Sequence, residues 1–174
     1  MEAVNMVLQS IQNPLQKQIY ANLAKDIPFD VVLFANKLGI FVKETSELPD
    51  TTSGFIQLKD SKVFIFVNEL HHINRKRFTV AHELGHYFLH YDRLQDGIVD
   101  SVLKRQDGIN DAIEREANKF AAELLMPTNI FIEIWNMGRY SVSDMAKILL
   151  VSESAVMIRA KSLGLARNDG EYFV

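Results

Sequence analysis

Two histidines and a glutamate at a fixed spacing are the residues of this chain best suited to chemistry. They form the run His82-Glu83-Leu84-Gly85-His86. In a helix, residues four apart differ by about 40° around the axis, so the imidazoles of His82 and His86 can converge on one metal ion. Glu83 is rotated about 80° from the midline between them, where its carboxylate can act as a base toward a water molecule at the metal. The spacing indicates a zinc-dependent hydrolase, with Glu83 as the catalytic group.

The alternative is a chance match, because a histidine pair on a helix is often only part of a solvated surface. The surrounding side chains argue against it, since they are mostly apolar and predict a buried helix: Phe78, Val80, Ala81, Leu84, Phe88 and Leu89. Buried polar groups without a partner are costly. A metal ion would supply that partner.

Zinc needs a third protein ligand, and the helix predicted over residues 110–125 offers three glutamates. Measured from Glu114, the residues within about 80° around the helix axis are small, apolar or amide side chains: Ala117, Asn118, Ala121, Leu124 and Leu125. Glu114 therefore faces inward. Glu116 and Glu123 fall on the opposite, polar face, and we expect both to be solvated.

These positions together define an expected site for one Zn²⁺ ion. His82, His86 and Glu114 are its expected ligands, and no other cofactor is expected. Asn118, one turn after Glu114 on the same stripe, is placed to hydrogen-bond a ligand.

Three further side chains are candidates for stabilising an oxyanion or contacting substrate: Tyr87, His90 and Tyr91. None of the three is favoured over the others. His90 extends the series 82, 86, 90, but eight residues span about 12 Å of helix, too far for three imidazoles to surround one ion. His71 and His72 have no partner at ligand spacing and are interpreted as loop histidines.

Three segments resemble the ImmA/IrrE family of zinc metallopeptidases: Val67-Asn68, the stretch from Arg77 to His86, and the stretch from Glu114 to Pro127. The resemblance covers roughly residues 27–165. It implies a small gluzincin-like peptidase whose ligands are the two motif histidines and a downstream glutamate. The family's E-x-x-A-N pattern maps that ligand onto Glu114, which agrees with the helix-face argument, and no active-site position departs from the pattern.

The resemblance also implies a substrate. Family members commonly lie in prophages and mobile elements beside a helix-turn-helix repressor, which they cleave to relieve repression; others act in stress responses. A helix-turn-helix transcriptional repressor is therefore the expected protein partner of a zinc endopeptidase. The alternative is a DNA-binding or repressor-binding regulatory protein in which the zinc site is structural.

The elements around these residues predict an α+β fold. Helices are expected over residues 14–25, 28–38, 74–92 and 110–125, with short strands at 40–42, 55–58 and 63–67 that form a small, mostly antiparallel sheet. The 55–67 segment could present an edge strand to an extended peptide. Residues 93–109 are polar and predict an irregular loop. We expect a zincin-like metallopeptidase domain over 1–135 and a helix-turn-helix-like segment over 136–174, packed on it.

The C-terminal segment contains two short predicted helices within 141–164, the first capped by Ser141 with Asp144. Basic residues outnumber acidic ones here and permit contact with DNA: Arg139, Lys147, Arg159, Lys161 and Arg167. The second helix begins Ser-Glu-Ser-Ala, which offers few side chains that could read bases. A hairpin packed on the catalytic domain is therefore favoured over a DNA contact.

Composition sets the remaining bounds. The 174 residues are 48% hydrophobic with a net charge of -3, which suits a globular protein and disfavours a globally basic nucleic-acid binder. The chain contains no cysteine, so disulfides and thiolate metal sites are excluded. No signal peptide and no apolar run long enough to span a bilayer are evident. A cytoplasmic protein without membrane contact is the expectation.

Overall fold

A computed structural model describes residues 6–94 and 108–166 of the chain. Helices and three strands make up an α+β fold. The helices are α1 (Met6–Ser10), α2 (Pro14–Leu23), α3 (Val31–Lys37), α4 (Ile73–Leu89), α5 (Tyr91–Leu94), α6 (Gly108–Leu125), α7 (Thr128–Asn136), α8 (Val142–Leu149) and α9 (Glu153–Ser162). The strands are β1 (Ile40–Thr45), β2 (Gly54–Lys59) and β3 (Lys62–Asn68). Of the irregular loop predicted over 93–109, residues 95–107 lie outside the described residues.

The sheet is mixed, with the strand order β1-β3-β2. The predicted hairpin joins β2 to β3: Lys59 pairs with Lys62, and Asp60 and Ser61 form the turn with positive φ of 50° and 61°. Both values suit a two-residue turn that matches the twist of the strands. The sheet was expected to be mostly antiparallel; the β2–β3 pairing is antiparallel, but β1 pairs in parallel with β3. Because residues 46–53 carry the chain past β3 before β2 begins, the hairpin returns β3 alongside β1 in the same direction.

Local sequence explains where the first helices begin. Asn13 accepts hydrogen bonds from the backbone N–H groups of Leu15 and Gln16, and Pro14 takes the first position of α2. In α3 the cap is Asp30, whose side chain accepts from Leu33, so that helix begins at Val31 rather than at Pro28 as predicted. Helices α1 and α7 were not predicted.

Helix α4 runs through the centre of the molecule and packs against the sheet, α3 and α6. Its residues from Thr79 to His86 are all buried. At Gly85 the backbones of α4 and α6 come so close that an added Cβ would lie 2.9 Å from Cα of Ala117. This close approach, which only small residues permit, brings the side chains of one helix within reach of the other.

The α8–α9 hairpin packs on both of these helices. Ser141 and Asp144 form the predicted capping box at the start of α8, and Leu150 adopts a left-handed conformation after it. Asn74 of α4 donates from Nδ2 to the carbonyl of Val151 at 2.9 Å, and Arg77 donates from Nε to the carbonyl of Leu150 at 3.2 Å. The turn of the hairpin is therefore tied to the first part of α4.

A buried ion pair fastens the hairpin to α6. Arg159 of α9 is 8% exposed and bonds through Nη2 to the carboxylate of Glu123, which is 7% exposed. Thr128 donates from Oγ1 to that carboxylate at 2.7 Å and accepts from Arg159 at 2.8 Å. The expectation that Glu123 is a solvated surface residue is thus wrong. Its face of α6 is covered by α9, so Arg159 is also not part of a basic surface.

Candidate metal centre and active site

Three potential ligand atoms converge between α4 and α6. The Nε2 atoms of His82 and His86 lie 3.0 Å apart. The carboxylate of Glu114 lies 3.2 Å from Nε2 of His82 and 3.3 Å from Nε2 of His86. The helical spacing of the histidines and the close packing at Gly85 produce this arrangement. Among the described residues, His82, His86 and Glu114 form the group able to hold a metal ion.

The donor set fits a small divalent cation. Four ligands placed tetrahedrally at 2.0–2.1 Å from zinc would be separated by about 3.3 Å, close to the spacings between these three residues. Asn118 fixes the chemistry of one of them, because its Oδ1 lies 3.0 Å from Nδ1 of His82. An amide oxygen can only accept, so Nδ1 carries the proton and Nε2 presents a lone pair. Lone pairs directed at a common point favour a cation there.

Charge and burial act against each other at the ligands of the metal-free site. Burial raises the pKa of Glu114, but its hydrogen bonds and charge interactions with His82 and His86 outweigh burial and lower that pKa to about 2. Burial lowers the pKa of His82, but the hydrogen bond to Glu114 and the charges of Glu83 and Glu114 leave it above its ordinary value. The carboxylate is therefore ionised and available to a metal throughout the neutral range.

A polar cleft of about 570 Å³ opens beside the three converging side chains. Glu83 lines this cleft and is itself 1% exposed. The other wall comes from Thr51 and Ser53 in the segment before β2 and from Gly54, the first residue of β2. A buried carboxylate next to an open cleft and a cation site is the arrangement required of a general base.

The profile of the IrrE N-terminal-like domain matches residues 35–161, a range that holds both helices of the site. The chain belongs to the ImmA/IrrE family. It is 36% identical over 69 residues to metallopeptidase ImmA of Bacillus subtilis (strain 168), an alignment that covers 40% of this chain and 37% of that protein. The family match and the similarity to ImmA together identify a metallopeptidase-like domain.

A solved structure, a transcriptional regulator of Mycobacterium tuberculosis, shares the fold with a TM-score of 0.60 at 18% sequence identity. The superposition covers 94% of this chain and 53% of the regulator. The present ImmA/IrrE chain thus spans about half of that relative. In the described part of the chain, no helix is long and apolar enough to cross a membrane.

The three candidates for oxyanion stabilisation lie away from the cleft. Tyr87, His90 and Tyr91 are absent from its described lining. His90 lies instead with Nε2 3.5 Å from the carboxylate of exposed Glu116, and burial lowers its pKa, as does the charge of His86. The ring of Tyr87 packs edge-on against that of Tyr91 at 5.4 Å. The cleft opens toward the start of α4, one or more turns before these residues, which explains their position.

Two polar residues that were not predicted from the sequence line the cleft instead. Arg75, one turn before Thr79 on α4, lines the cleft and donates from Nε to Oγ of Ser53 at 3.0 Å. Asp111, one turn before Glu114, lines the opposite side. Helical periodicity from the motif residues could have pointed to both positions, since each lies on a stripe facing the site.

The wall of the cleft depends on one buried amide. Asn68 at the end of β3 is fully buried and donates from Nδ2 to the carbonyls of Pro49 at 3.2 Å and Thr52 at 3.1 Å. Its Oδ1 accepts from the backbone N–H of Leu70 at 3.0 Å. These bonds hold residues 49–52 against the sheet, next to the residues that line the cleft. His71 supports the same segment through the carbonyl of Asp50, 3.1 Å from its Nε2.

Proposed function

We propose that this chain is a zinc-dependent endopeptidase with His82, His86 and Glu114 as metal ligands. The observation that carries the proposal is that the Nε2 atoms of His82 and His86 lie 3.0 Å apart and each lies within 3.3 Å of a carboxylate oxygen of Glu114, beside the cleft lined by Glu83. Two imidazoles and one carboxylate, with no thiolate, are a ligand set typical of catalytic zinc. When bound, such an ion would polarise the scissile carbonyl and lower the pKa of the attacking water, so that the water gives up its proton more readily.

Glu83 is the proton carrier in this mechanism. Its carboxylate takes the proton of the attacking water and delivers it to the leaving amine, so the group returns to its ionised form after each cycle. Asn118 holds the proton of His82 on Nδ1 and keeps Nε2 directed at the metal site. The burial of Glu83 limits competing hydrogen bonds from bulk water.

The sheet offers a binding mode for the peptide. β2 is an edge strand in the order β1-β3-β2, and Ser53 and Gly54 at its start line the cleft. An extended peptide that pairs with the backbone of β2 would enter the cleft beside Glu83. We infer that the substrate is a protein with an accessible extended segment. In keeping with the family, we propose that this protein is a helix-turn-helix transcriptional repressor.

The decisive comparison is between the wild type and Glu83→Gln, with Glu133→Gln on the exposed surface of α7 as the matched control. Each protein is loaded with zinc and incubated with candidate helix-turn-helix repressors, and the products are identified by mass spectrometry. Glu83→Gln should keep its zinc and lose cleavage by at least a factor of about 100, because a positioned base contributes that much or more. Glu133→Gln should behave as the wild type.

The rival function is a regulatory protein that binds DNA or a repressor without cutting it. Under that reading, Glu83→Gln would retain full effect on the partner while zinc stays bound. That result would overturn the peptidase proposal.

A further inference from the structure

A second depression adjoins the catalytic cleft and has a different character. It lies between α4, α6 and α9, has a volume of about 640 Å³, and is called the apolar groove here. Its floor and walls include the apolar side chains of Phe78, Ala122, Met126, Val151, Ala155 and Ile158. The volume falls within the range of about 300–1,000 Å³ that is typical of binding pockets.

The apolar groove is continuous with the catalytic cleft. Arg75, Phe78 and Asn118 line both of them. Asn118 is also the residue that contacts His82. A peptide lying in the cleft therefore has the groove beside it.

One apolar residue of the groove is unusually exposed to solvent. Ile158 projects from α9 with 69% of its surface exposed. A large aliphatic side chain at the rim of an apolar depression gains free energy when a ligand covers it. Met126 is 1% exposed and supplies a floor that can adapt to different shapes.

The charged side chains that line the groove are all cationic. Arg75 and Lys119 are exposed cations in its lining, whereas Arg159 is already neutralised by Glu123. No carboxylate occurs in the lining formed by residues 6–94 and 108–166. An acidic group next to an apolar one would complement this surface.

We infer that the apolar groove is a substrate subsite that takes a large aliphatic or aromatic side chain with an acidic residue close to it in the substrate sequence. This inference rests on the proposed peptidase function and names the substrate class for it. Ile158 and Lys119 determine the specificity, the first by apolar contact and the second by charge.

The test is a cleavage profile on an unbiased library of proteome-derived peptides, read by mass spectrometry. The zinc-loaded wild type should cut with a preference for a large apolar residue at one fixed position from the cut and for Asp or Glu near it. Ile158→Asp should reduce the apolar preference roughly tenfold, the factor expected when about one apolar contact is lost. Lys119→Glu should remove or reverse the acidic preference.

Leu15→Asp provides the matched control, since Leu15 is an aliphatic residue of α2 that is 65% exposed. Its profile should equal that of the wild type. Anisotropy of a fluorescent peptide carrying the preferred sequence gives a second readout. This peptide should bind Glu83→Gln roughly ten times more tightly than it binds the double variant with Ile158→Asp.

The outcomes separate the two proposals. If the wild type cuts peptides and Ile158→Asp leaves both the profile and the affinity unchanged, the groove inference is wrong and the peptidase function stands. If no zinc-loaded protein cuts or binds any peptide, both are wrong. If Ile158→Asp only converts a dimer into a monomer in light scattering, with an unaltered profile, the groove is an interface between two copies and the inference is overturned.

Discussion

The amide oxygen of Asn118 lies 3.0 Å from Nδ1 of His82, so this residue fixes the tautomer of a proposed metal ligand. Partners of this kind usually contribute a factor of about 10–100 to metal affinity. Asn118→Ala should therefore weaken zinc binding by that factor, measured by competition with a chromogenic chelator. Arg115→Ala, an exposed change on the same helix, is the control. Equal zinc affinities for the two variants would contradict this role.

Gly85 should tolerate no side chain. A Cβ there would lie 2.9 Å from Cα and 3.1 Å from the carbonyl oxygen of Ala117, and backbone atoms cannot yield as a flexible side chain can. Gly85→Ala should therefore lower the free energy of unfolding by about 1–3 kcal/mol, as overpacking does, and should weaken zinc binding because α4 and α6 move apart. Urea denaturation and chelator competition measure the two effects. A variant with unchanged stability would show that the helices are less tightly packed than described.

Breaking the buried pair of Glu123 and Arg159 should destabilise the fold strongly, whereas replacing both residues by apolar ones should destabilise it little. Arg159→Met leaves a buried carboxylate without its cation and should cost about 3–5 kcal/mol of unfolding free energy. Combining it with Glu123→Leu should recover most of that loss, since paired buried charges can often be exchanged for apolar residues. A double-mutant cycle by urea denaturation measures the coupling. Additive losses would mean that the pair does not act as a unit.

The metal-free protein should have a characteristic pH dependence of stability. Because the pKa of His82 is raised in the folded state, its contribution is complete below the ordinary value of 6.5 and is lost as the pH rises through the folded value. Because the pKa of Glu114 is lowered to about 2, its contribution is present above the ordinary value of 4.5 and is lost as the pH falls toward about 2. Both contributions are present between these two ordinary values.

Urea midpoints measured with a chelator present should therefore fall as the pH rises above the ordinary histidine pKa of 6.5. Glu114→Gln should flatten this dependence, because the amide cannot hold the proton on His82. Zinc affinity should change in the opposite sense, since the metal competes with that proton and binds better at the higher pH. An unaltered slope in Glu114→Gln would show that another group causes the pH dependence.

Much of the site could be read from the sequence because it depends on helical periodicity. The spacing of His82 and His86 and the stripe from Glu114 to Asn118 are properties of single helices. Helices α4 and α6 lie close to their predicted ranges, although α4 ends at Leu89 and not at residue 92. The expectation that Glu123 is solvated is wrong because a helical wheel shows one helix without the elements that pack on it. Its partner Arg159 lies 36 residues later on α9.

Features that depend on the path of the chain could not be obtained in this way. The hairpin at Asp60-Ser61 follows from local turn chemistry, but the parallel pairing of β1 depends on the crossover at residues 46–53. The walls of the cleft also depend on the path of the chain between distant elements. Ser53 meets Arg75 only because Asn68 holds the preceding loop, and no local pattern predicts that contact.

The attachment of the α8–α9 hairpin has a practical consequence for anyone seeking a minimal catalytic fragment. Cutting the chain at the boundary suggested by its sequence, near residue 135, would remove the guanidinium that neutralises Glu123 and the carbonyls that receive Asn74 and Arg77. Both helices that carry the proposed metal ligands would lose an anchor at once. The shorter polypeptide would therefore lack a stable metal centre, even though every ligand remained in it.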